Sequence, residues 1–313
     1  MNRNVIRRRV ANISVIIPTV GRKIYLRRCL ISLLSQSVLP SEIIIVNNGS
    51  SPLGKDLQLD KKKTTPIHIV YVREERQGVG YARNAGLRAA SNNMIAFIDD
   101  DCVAQKNWIE HVLFSFSKNP KTIIKGKNTN GFRDNIFSAL EYYQTELHFQ
   151  SQLVPFLDTK NFALRKSDFL NSPYFDTRFA RLDEDIDFGI RANLAGIFVI
   201  YDQSVVVAHF GRSTFIAHLK RGFYVGRDRW KLEDKWKRNQ LVTLEKEELF
   251  SNIKKQNKEK TKERLLKEIL KKKNLFFRLA FFSFPFIDLL TEKLGYMWEE
   301  LHNTNIYEGS NST

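Results

Sequence analysis

With two cysteines among 313 residues, the chain has no means of building a disulfide framework. Neither Cys29 nor Cys102 stands in a CxxC pair or a Cys/His cluster, which excludes a structural zinc module and fits a reducing cytoplasm. Long hydrophobic runs are missing too. The longest apolar segment, Leu275 to Leu290, is broken by Arg278 and Pro285 and falls short of the roughly 20 residues that a spanning helix needs, so no transmembrane helix is expected. Arg3 and Arg7 to Arg9 precede the apolar stretch Ile13 to Ile17, but its short length before Pro18 and the lack of a small-residue cleavage site make it a buried strand, not a signal peptide. Internal repeats and low-complexity tracts are absent. Acidic residues are scarce: 34 Asp and Glu oppose 50 Lys and Arg, a net charge of +16, which implies attraction to nucleic acid, a phospholipid surface or a phosphorylated substrate.

What the chain does have is core material. Hydrophobic residues make up 42% and aromatic residues 12%, including 23 Phe, which excludes disorder. The first hundred residues alternate short β-branched runs with helical patterns, the mark of an α/β domain with a largely parallel sheet. Strands are expected at Ile13 to Ile17, Ile43 to Val46, Ile67 to Val72 and Met94 to Ile98. A helix carries Leu26, Leu30, Leu33 and Leu34 and ends before Pro40; another runs from about Tyr81 to Ala90. Trp108 to Phe116 and Ile136 to Phe149 also read as helices, and Phe198 to Tyr201 and Val205 to Ala208 as late strands. From about Phe215 the pattern is helical. Between Lys235 and Lys273 there are 14 Lys and Arg against 6 Glu, which suits either a solvated charged helix or contact with an anionic surface. The expected division is an α/β domain over residues 1–230 and a basic, helical extension over 231–313.

Two acidic clusters carry most of the chemical information. Asp99, Asp100 and Asp101 follow an apolar strand; three adjacent like charges are costly unless a cation or hydrogen-bond donors compensate them. Hard divalent cations such as Mg²⁺ and Mn²⁺ take such oxygens, often together with substrate phosphates. On a continuing strand Asp99 and Asp101 would share a face and Asp100 would point away; a solvated turn with Asp101 capping a helix is the plainer alternative. The second cluster, Asp183-Glu184-Asp185-Ile186-Asp187, opens a helix that Gly196 can end. Its carboxylates serve either the helix dipole or, for one of them, general-base work at a hydroxyl. Gly78-Val79-Gly80-Tyr81-Ala82-Arg83 is a glycine turn entering a helix, suited to a phosphate, though Arg83 stands where a dinucleotide fingerprint has its third glycine. His209 follows an apolar strand, a position that suits either a structural histidine or a ligand.

In order and spacing, these pieces resemble the family 2 glycosyltransferases. The matching run comprises Ser14-Val15-Ile16-Ile17-Pro18-Thr19, Leu33 to Gln36, Ile44 to Ser50, Gly78 to Gly86, Phe97 to Asp101, Glu184-Asp185-Ile186-Asp187 with Arg191 and Gly196, and His209, covering about Ile13 to Trp230. The resemblance implies a GT-A fold, an α/β Rossmann-like sheet with helices on both faces. It implies an enzyme that transfers sugar from a nucleotide-diphospho-sugar, with UDP as the expected nucleotide, to a glycan or lipid-linked hydroxyl with inversion. By the same resemblance Pro18 and Thr19 shape the nucleotide pocket, Asn47 and Asn48 lie near the base, and Arg83, Asp99 and Asp100 lie near the donor. Asp99 and Asp101 would hold Mn²⁺ or Mg²⁺ with His209 completing the shell, and Asp185 would be the catalytic base. Many relatives carry Asp where Asn47 stands, and an amide oxygen accepts the imide hydrogen bond of uracil without charge assistance.

Two other readings compete. Trp230 and Trp236 among the basic residues of Arg221 to Arg238 suit nucleic acid, but that model gives the carboxylate clusters no use, so nucleic acid is not the expected partner. A non-catalytic scaffold would leave two intact acidic motifs without a purpose. The basic C-terminal region with its Phe-rich segment suits an anionic membrane surface, and equally a packing or dimerisation element.

Overall fold

The computed structural model describes residues 8–53, 66–132, 135, 137–139, 141–142, 157–169, 174–179, 183–211, 214–237, 287 and 289–302. The expected helix over Ile136 to Phe149 lies mostly outside these residues, as do nearly all of the basic stretch from Lys235 to Lys273 and the phenylalanines from Phe276 to Phe286. Two compact units divide the chain: Met1–Gly131 with Gln152–Ala180 and Glu184–Phe210, and Phe132–Ser151 with Arg181–Asp183 and Gly211–Thr313.

The first unit is built on one sheet. Strands β1 (Val10–Thr19), β2 (Leu39–Asn47), β3 (His68–Arg73) and β4 (Met94–Ile98) alternate with helices α1 (Lys23–Leu34) and α2 (Val79–Ala89). There follow β5 (Cys102–Ala104), α3 (Trp108–Lys118), β6 (Thr122–Asn130), β7 (Asn161–Arg165), a 3-10 turn at Lys166–Phe169, α4 (Glu184–Leu194) and β8 (Phe198–His209). The eight strands lie in the order β3-β2-β1-β4-β7-β6-β8-β5. β1 pairs in parallel with β2 and β4, and β2 with β3; β7 joins β4 antiparallel and brings in β6, β8 and β5. Because the chain runs outward from β1 to β3 and then returns to β4 on the other side of β1, the carboxyl ends of β1 and β4 flank a topological switch point, where α/β sheets place their ligands.

Strand alternation divides the core in two. Ile13, Val15 and Ile17 with Ile43, Ile45, Ala96 and Ile98 face α1 and α3, whose Leu26, Cys29, Leu30, Leu33, Trp108 and Val112 are fully buried. Ile16, Ile44, Val46, Ile95 and Phe97 face α2 and α4 through Ala82, Ala85, Leu87, Phe188 and Ala192. Gly86 lets α2 sit closely on this face, since a Cβ there would lie 2.4 Å from Ile16 Cγ2.

Local departures from the sequence reading have plain causes. α1 ends at Leu34, and Pro40 lies inside β2 opposite Ala11 of β1; β3 begins only opposite Glu42, so the missing N–H costs no bond on that side. The two late strands are one, β8, whose pairing with β6 shifts register between Gly126 and Lys127. There Ser204 N–H donates to Asp202 Oδ1 at 2.9 Å, a local turn that interrupts the apolar pattern.

In the second unit, α5 (Phe215–Lys237) packs on a helix over residues 289–302. The backbones nearly touch, as a Cβ at Gly226 would lie 1.8 Å from the Glu292 carbonyl oxygen. Glu299 anchors the crossing through Arg227 Nε at 3.2 Å and Lys231 Nζ at 3.1 Å. Among the described residues no helix is long and apolar enough to cross a membrane.

Candidate active site

The acidic triplet sits in a tight turn between β4 and β5, closed by Cys102 N–H donating to the Asp99 carbonyl at 3.0 Å. Strand alternation therefore does not govern it, and each carboxylate has its own surroundings. Asp100 is buried: Thr19 Oγ1, at the end of β1, donates to its Oδ2 at 2.5 Å, and Arg22 Nε does so at 3.3 Å while Arg22 Nη2 pairs with Oδ1. Burial pushes Asp100 up to about 6 against the pull of Arg22. Asp101 meets Arg22 Nη1 at 2.7 Å through Oδ2 and His209 Nε2 at 3.5 Å through Oδ1. Burial alone would raise its pKa, but His209 and Arg22 outweigh burial and hold Asp101 well below the usual carboxylate range. Asp99, partly exposed, takes Arg83 Nη2 at 3.3 Å; burial raises its carboxyl against that pull.

His209 is set opposite Cys102 on the β5–β8 ladder, with Phe210 N–H bonded to the Asp101 carbonyl at 2.8 Å. Asp101, Cys102 and His209 bring one ligand atom each within 4.8 Å of one another. Burial pushes the Cys102 thiol well above its usual range, so it offers no ready thiolate. What is left, a carboxylate oxygen and an imidazole nitrogen, fits a divalent cation such as Mn²⁺. Asp99 is not in this cluster; its carboxylate turns to Arg83.

Arg83 links the two acidic motifs. It is buried on α2, pairs with Glu184 through Nη1 and with Asp99 through Nη2, and its side chain lies over the Phe175 ring. Burial would lower its pKa, but Glu184, Asp99 and Asp185 raise it. Glu184 and Asp185 open α4, where the helix dipole favours negative charge. Asp185 Oδ1 accepts Ile186 N–H at 2.9 Å, and its Oδ2 accepts from Thr159 N–H and Oγ1 at 3.4 and 3.5 Å. Asp187 is buried and pairs with Arg191 Nε at 2.9 Å.

The remaining expected residues fasten the loops around the switch point. Pro18 is buried on β1 opposite Val46. Asn47 donates to the Ser51 carbonyl at 2.9 Å and accepts Gly49 N–H at 3.0 Å. Asn48 donates to the Glu74 and Arg76 carbonyls at 2.9 and 2.7 Å and accepts Gly78 N–H at 3.0 Å, which holds Gly78 at a φ of 139°, a conformation glycine adopts freely.

Sequence reasoning missed Arg22 and the 157–160 loop. A cation at the start of α1 opposes the helix dipole, and this called for an acidic partner. The loop leaves no comparable signal. Asp158 accepts from Lys160 Nζ at 3.0 Å and from Asn128 Nδ2 at 2.7 Å, with the fully buried Lys125 Nζ 3.9 Å away. In the same loop Thr159 reaches Asp185 and the Lys160 carbonyl accepts Asp99 N–H at 3.4 Å.

Comparison with known proteins gives this geometry its setting. Glycosyltransferase AglE of Haloferax volcanii is 25% identical over 222 residues, 69% of this chain and 72% of that protein. With two other curated glycosyltransferases the match spans only 14% and 29% of their length. A mannosyltransferase from Pyrobaculum calidifontis, solved with GDP-Man and Mn²⁺, superposes with a TM-score of 0.55 at 16% identity over 72% of this chain and 64% of its own. Residues 1–349 of S. aureus TarS, solved with UDP-GlcNAc, give 0.51 at 17% identity over 70% of this chain and 66% of that fragment. These likenesses establish the GT-A fold with a helical C-terminal region. The family model for glycosyl transferase family 2 matches residues 14–172, just over half of the sequence, and the chain belongs to that family of glycosyltransferases.

Proposed function

We propose that the chain transfers a sugar from a nucleoside-diphosphate sugar, with uridine as the base, to a hydroxyl of a glycan or lipid-linked acceptor, with inversion at the anomeric carbon. The observation that carries this reading is the Arg83 bridge: one buried cation ties Glu184, beside Asp185, to Asp99 of the triplet, so both acidic motifs belong to one site at the switch point. TarS binds UDP-GlcNAc and the mannosyltransferase GDP-Man, which supports a nucleotide-sugar donor for this chain. The net charge of +16 favours an acceptor presented at an anionic membrane surface.

In the mechanism, Asp185 takes the acceptor proton as that oxygen attacks the anomeric carbon from the face opposite the leaving group. The new glycosidic bond forms as the bond to the diphosphate oxygen breaks, and the electron pair leaves with the diphosphate. Thr159, with its N–H and hydroxyl on Oδ2, orients the Asp185 carboxylate. Thr19 and the loops fastened by Asn47 and Asn48 shape the nucleotide pocket. Asp101 and His209 would hold a divalent cation, which when bound supplies Lewis-acid neutralisation of the departing diphosphate, while Asp99, paired with Arg83, stays outside that cluster.

A panel of nucleotide sugars incubated with the protein and Mn²⁺, read by nucleoside diphosphate release, tests the reading. Release from one donor, increased by a glycan acceptor, is expected. Release from none, with salt-sensitive binding to single-stranded nucleic acid instead, would overturn it.

A further inference from the structure

The Arg22 guanidinium touches both Asp100 and Asp101. Its contacts are unequal in kind. Nε and Nη2 go to Asp100, a carboxylate only 1% exposed and further held by Thr19. Nη1 goes to Asp101, the carboxylate assigned above to the divalent cation. The Arg22 side chain itself is 43% exposed, so it lies at the mouth of the site while its anchor lies inside. With Oδ2 of Asp101 on Arg22 and Oδ1 facing His209, an incoming cation and the guanidinium compete for one group.

We propose that Arg22 is a resident counter-cation: it neutralises Asp101 in the donor-free enzyme, yields Asp101 to the divalent cation, and then pairs with the donor's diphosphate. Asp100 makes the exchange possible. Its two contacts keep the guanidinium hinged in place when Nη1 is released, and a planar fork of five donors can serve a carboxylate and a phosphate together. Two like charges brought to one carboxylate repel, so the cation alone binds against Arg22, whereas a diphosphate draws Arg22 away and removes that opposition. Cation and nucleoside diphosphate therefore bind with positive coupling, each tightening the other by the same factor. This role rests on the reading of Asp101 as a cation ligand.

Mn²⁺ binding to the full-length protein, measured by calorimetry and by the electron paramagnetic resonance of free Mn²⁺ with and without UDP, tests it in the wild type, Arg22→Gln, Arg22→Lys and Asp101→Asn. Without UDP, Arg22→Gln is expected to bind Mn²⁺ at least about fivefold tighter than wild type, and to lose most of the tightening that UDP confers on wild type. Arg22→Lys, whose single amine cannot grip Asp100 at two points while reaching Asp101, should move both quantities in the same direction by less, and it carries the test if Arg22→Gln does not fold. Mn²⁺ affinity no tighter than wild type in the folded Arg22 variants, or full coupling to UDP retained, overturns the role. Asp101→Asn separates the two levels: if it binds Mn²⁺ as wild type does, the reading of Asp101 itself fails, whereas loss of Mn²⁺ there with unchanged Arg22 variants defeats the counter-cation role alone.

Discussion

Arg83 and Glu184 pair out of reach of solvent, their side chains 3% and 4% exposed, across 101 positions of sequence. A buried pair of this kind is costly to break from one side, since the remaining charge loses its counter-charge out of reach of water. Arg83→Met should therefore destabilise the protein by about 3–5 kcal/mol. The double variant Arg83→Met/Glu184→Met should lose clearly less than the sum of the single losses, because the buried Glu184 charge goes with its partner, and Asp99, which also loses Arg83, is partly exposed to water. Chemical denaturation of the four proteins measures this; additive losses would show that the two side chains stand independently.

Asp185 and Asp187 lie two residues apart on α4 yet should respond differently to the same substitution. Asp187 is fully buried on Arg191, whereas Asp185 faces Thr159. Asp185→Asn keeps the shape and removes the proton acceptor, so kcat should fall by about 10²-fold or more with donor affinity and melting temperature near wild type. Asp187→Asn removes the charge that pairs with Arg191 Nε and should lower the melting temperature first. If Asp187→Asn gives the larger fall in kcat at full stability, the base is misassigned.

The parallel half of the sheet is legible because its apolar positions obey one rule. Ile13, Val15 and Ile17 lie in one apolar layer and Ile16 in the other, and the strand expected at Met94 to Ile98 has those bounds in the structure. β6 and β7 were not legible, since their interior carries polar groups whose partners are distant in sequence. Lys125 is fully buried beside Asp158, and Asn161 accepts Trp108 Nε1–H at 2.8 Å while donating to the Lys127 and Val205 carbonyls. A pattern rule scores Lys and Asn as solvent-facing, and only the fold supplies their compensation. The candidate site shows the same division. Asp99 to Asp101, Glu184 to Asp187 and His209 stand out by type and position, but that Arg22 would answer two of the three aspartates, and Arg83 the third, depends on side chains brought together by the sheet.

Asp158 should make part of the stability depend on pH. Burial would raise its carboxyl, but Lys160 and Lys125 prevail and hold it well below the ordinary range near 3.8. For a lowered carboxylate the unfolded chain takes up the proton first, so its stabilisation is complete at neutral pH and is lost as pH falls below about 4 toward the native value. Asp158→Asn should cost about 3 kcal/mol at pH 7, because Lys125, which is buried, and Lys160 lose the carboxylate charge beside them, and should flatten the acid limb of the stability curve. Urea titrations at several pH values from neutral to about 3 read both effects; an acid limb as steep as that of wild type would assign the pH dependence to other carboxylates.

Gly86 marks a close approach between α2 and the sheet, and its replacement tests whether helix and strand can separate. A methyl group there would meet Ile16 Cγ2 at 2.4 Å, Val46 Cγ2 at 3.2 Å and Ile16 Cδ1 at 3.3 Å, all side-chain atoms of central strands. Ile16 is fully buried and β-branched, so it cannot swing aside without leaving its rotamer. Gly86→Ala gains about 1 kcal/mol in helix propensity but forces an overlap that costs typically 1–3 kcal/mol, so a net loss of up to about 2 kcal/mol is expected. Removing the obstacle should reverse the sign: in an Ile16→Ala background, where the same space is empty, Gly86→Ala should stabilise. Because α2 carries Arg83 into the site, the single variant should also weaken donor binding if the helix backs away from the sheet. A Gly86→Ala protein as stable as wild type, with the same response in the Ile16→Ala background, would show that α2 has slack at this contact and that the glycine is not needed for the approach.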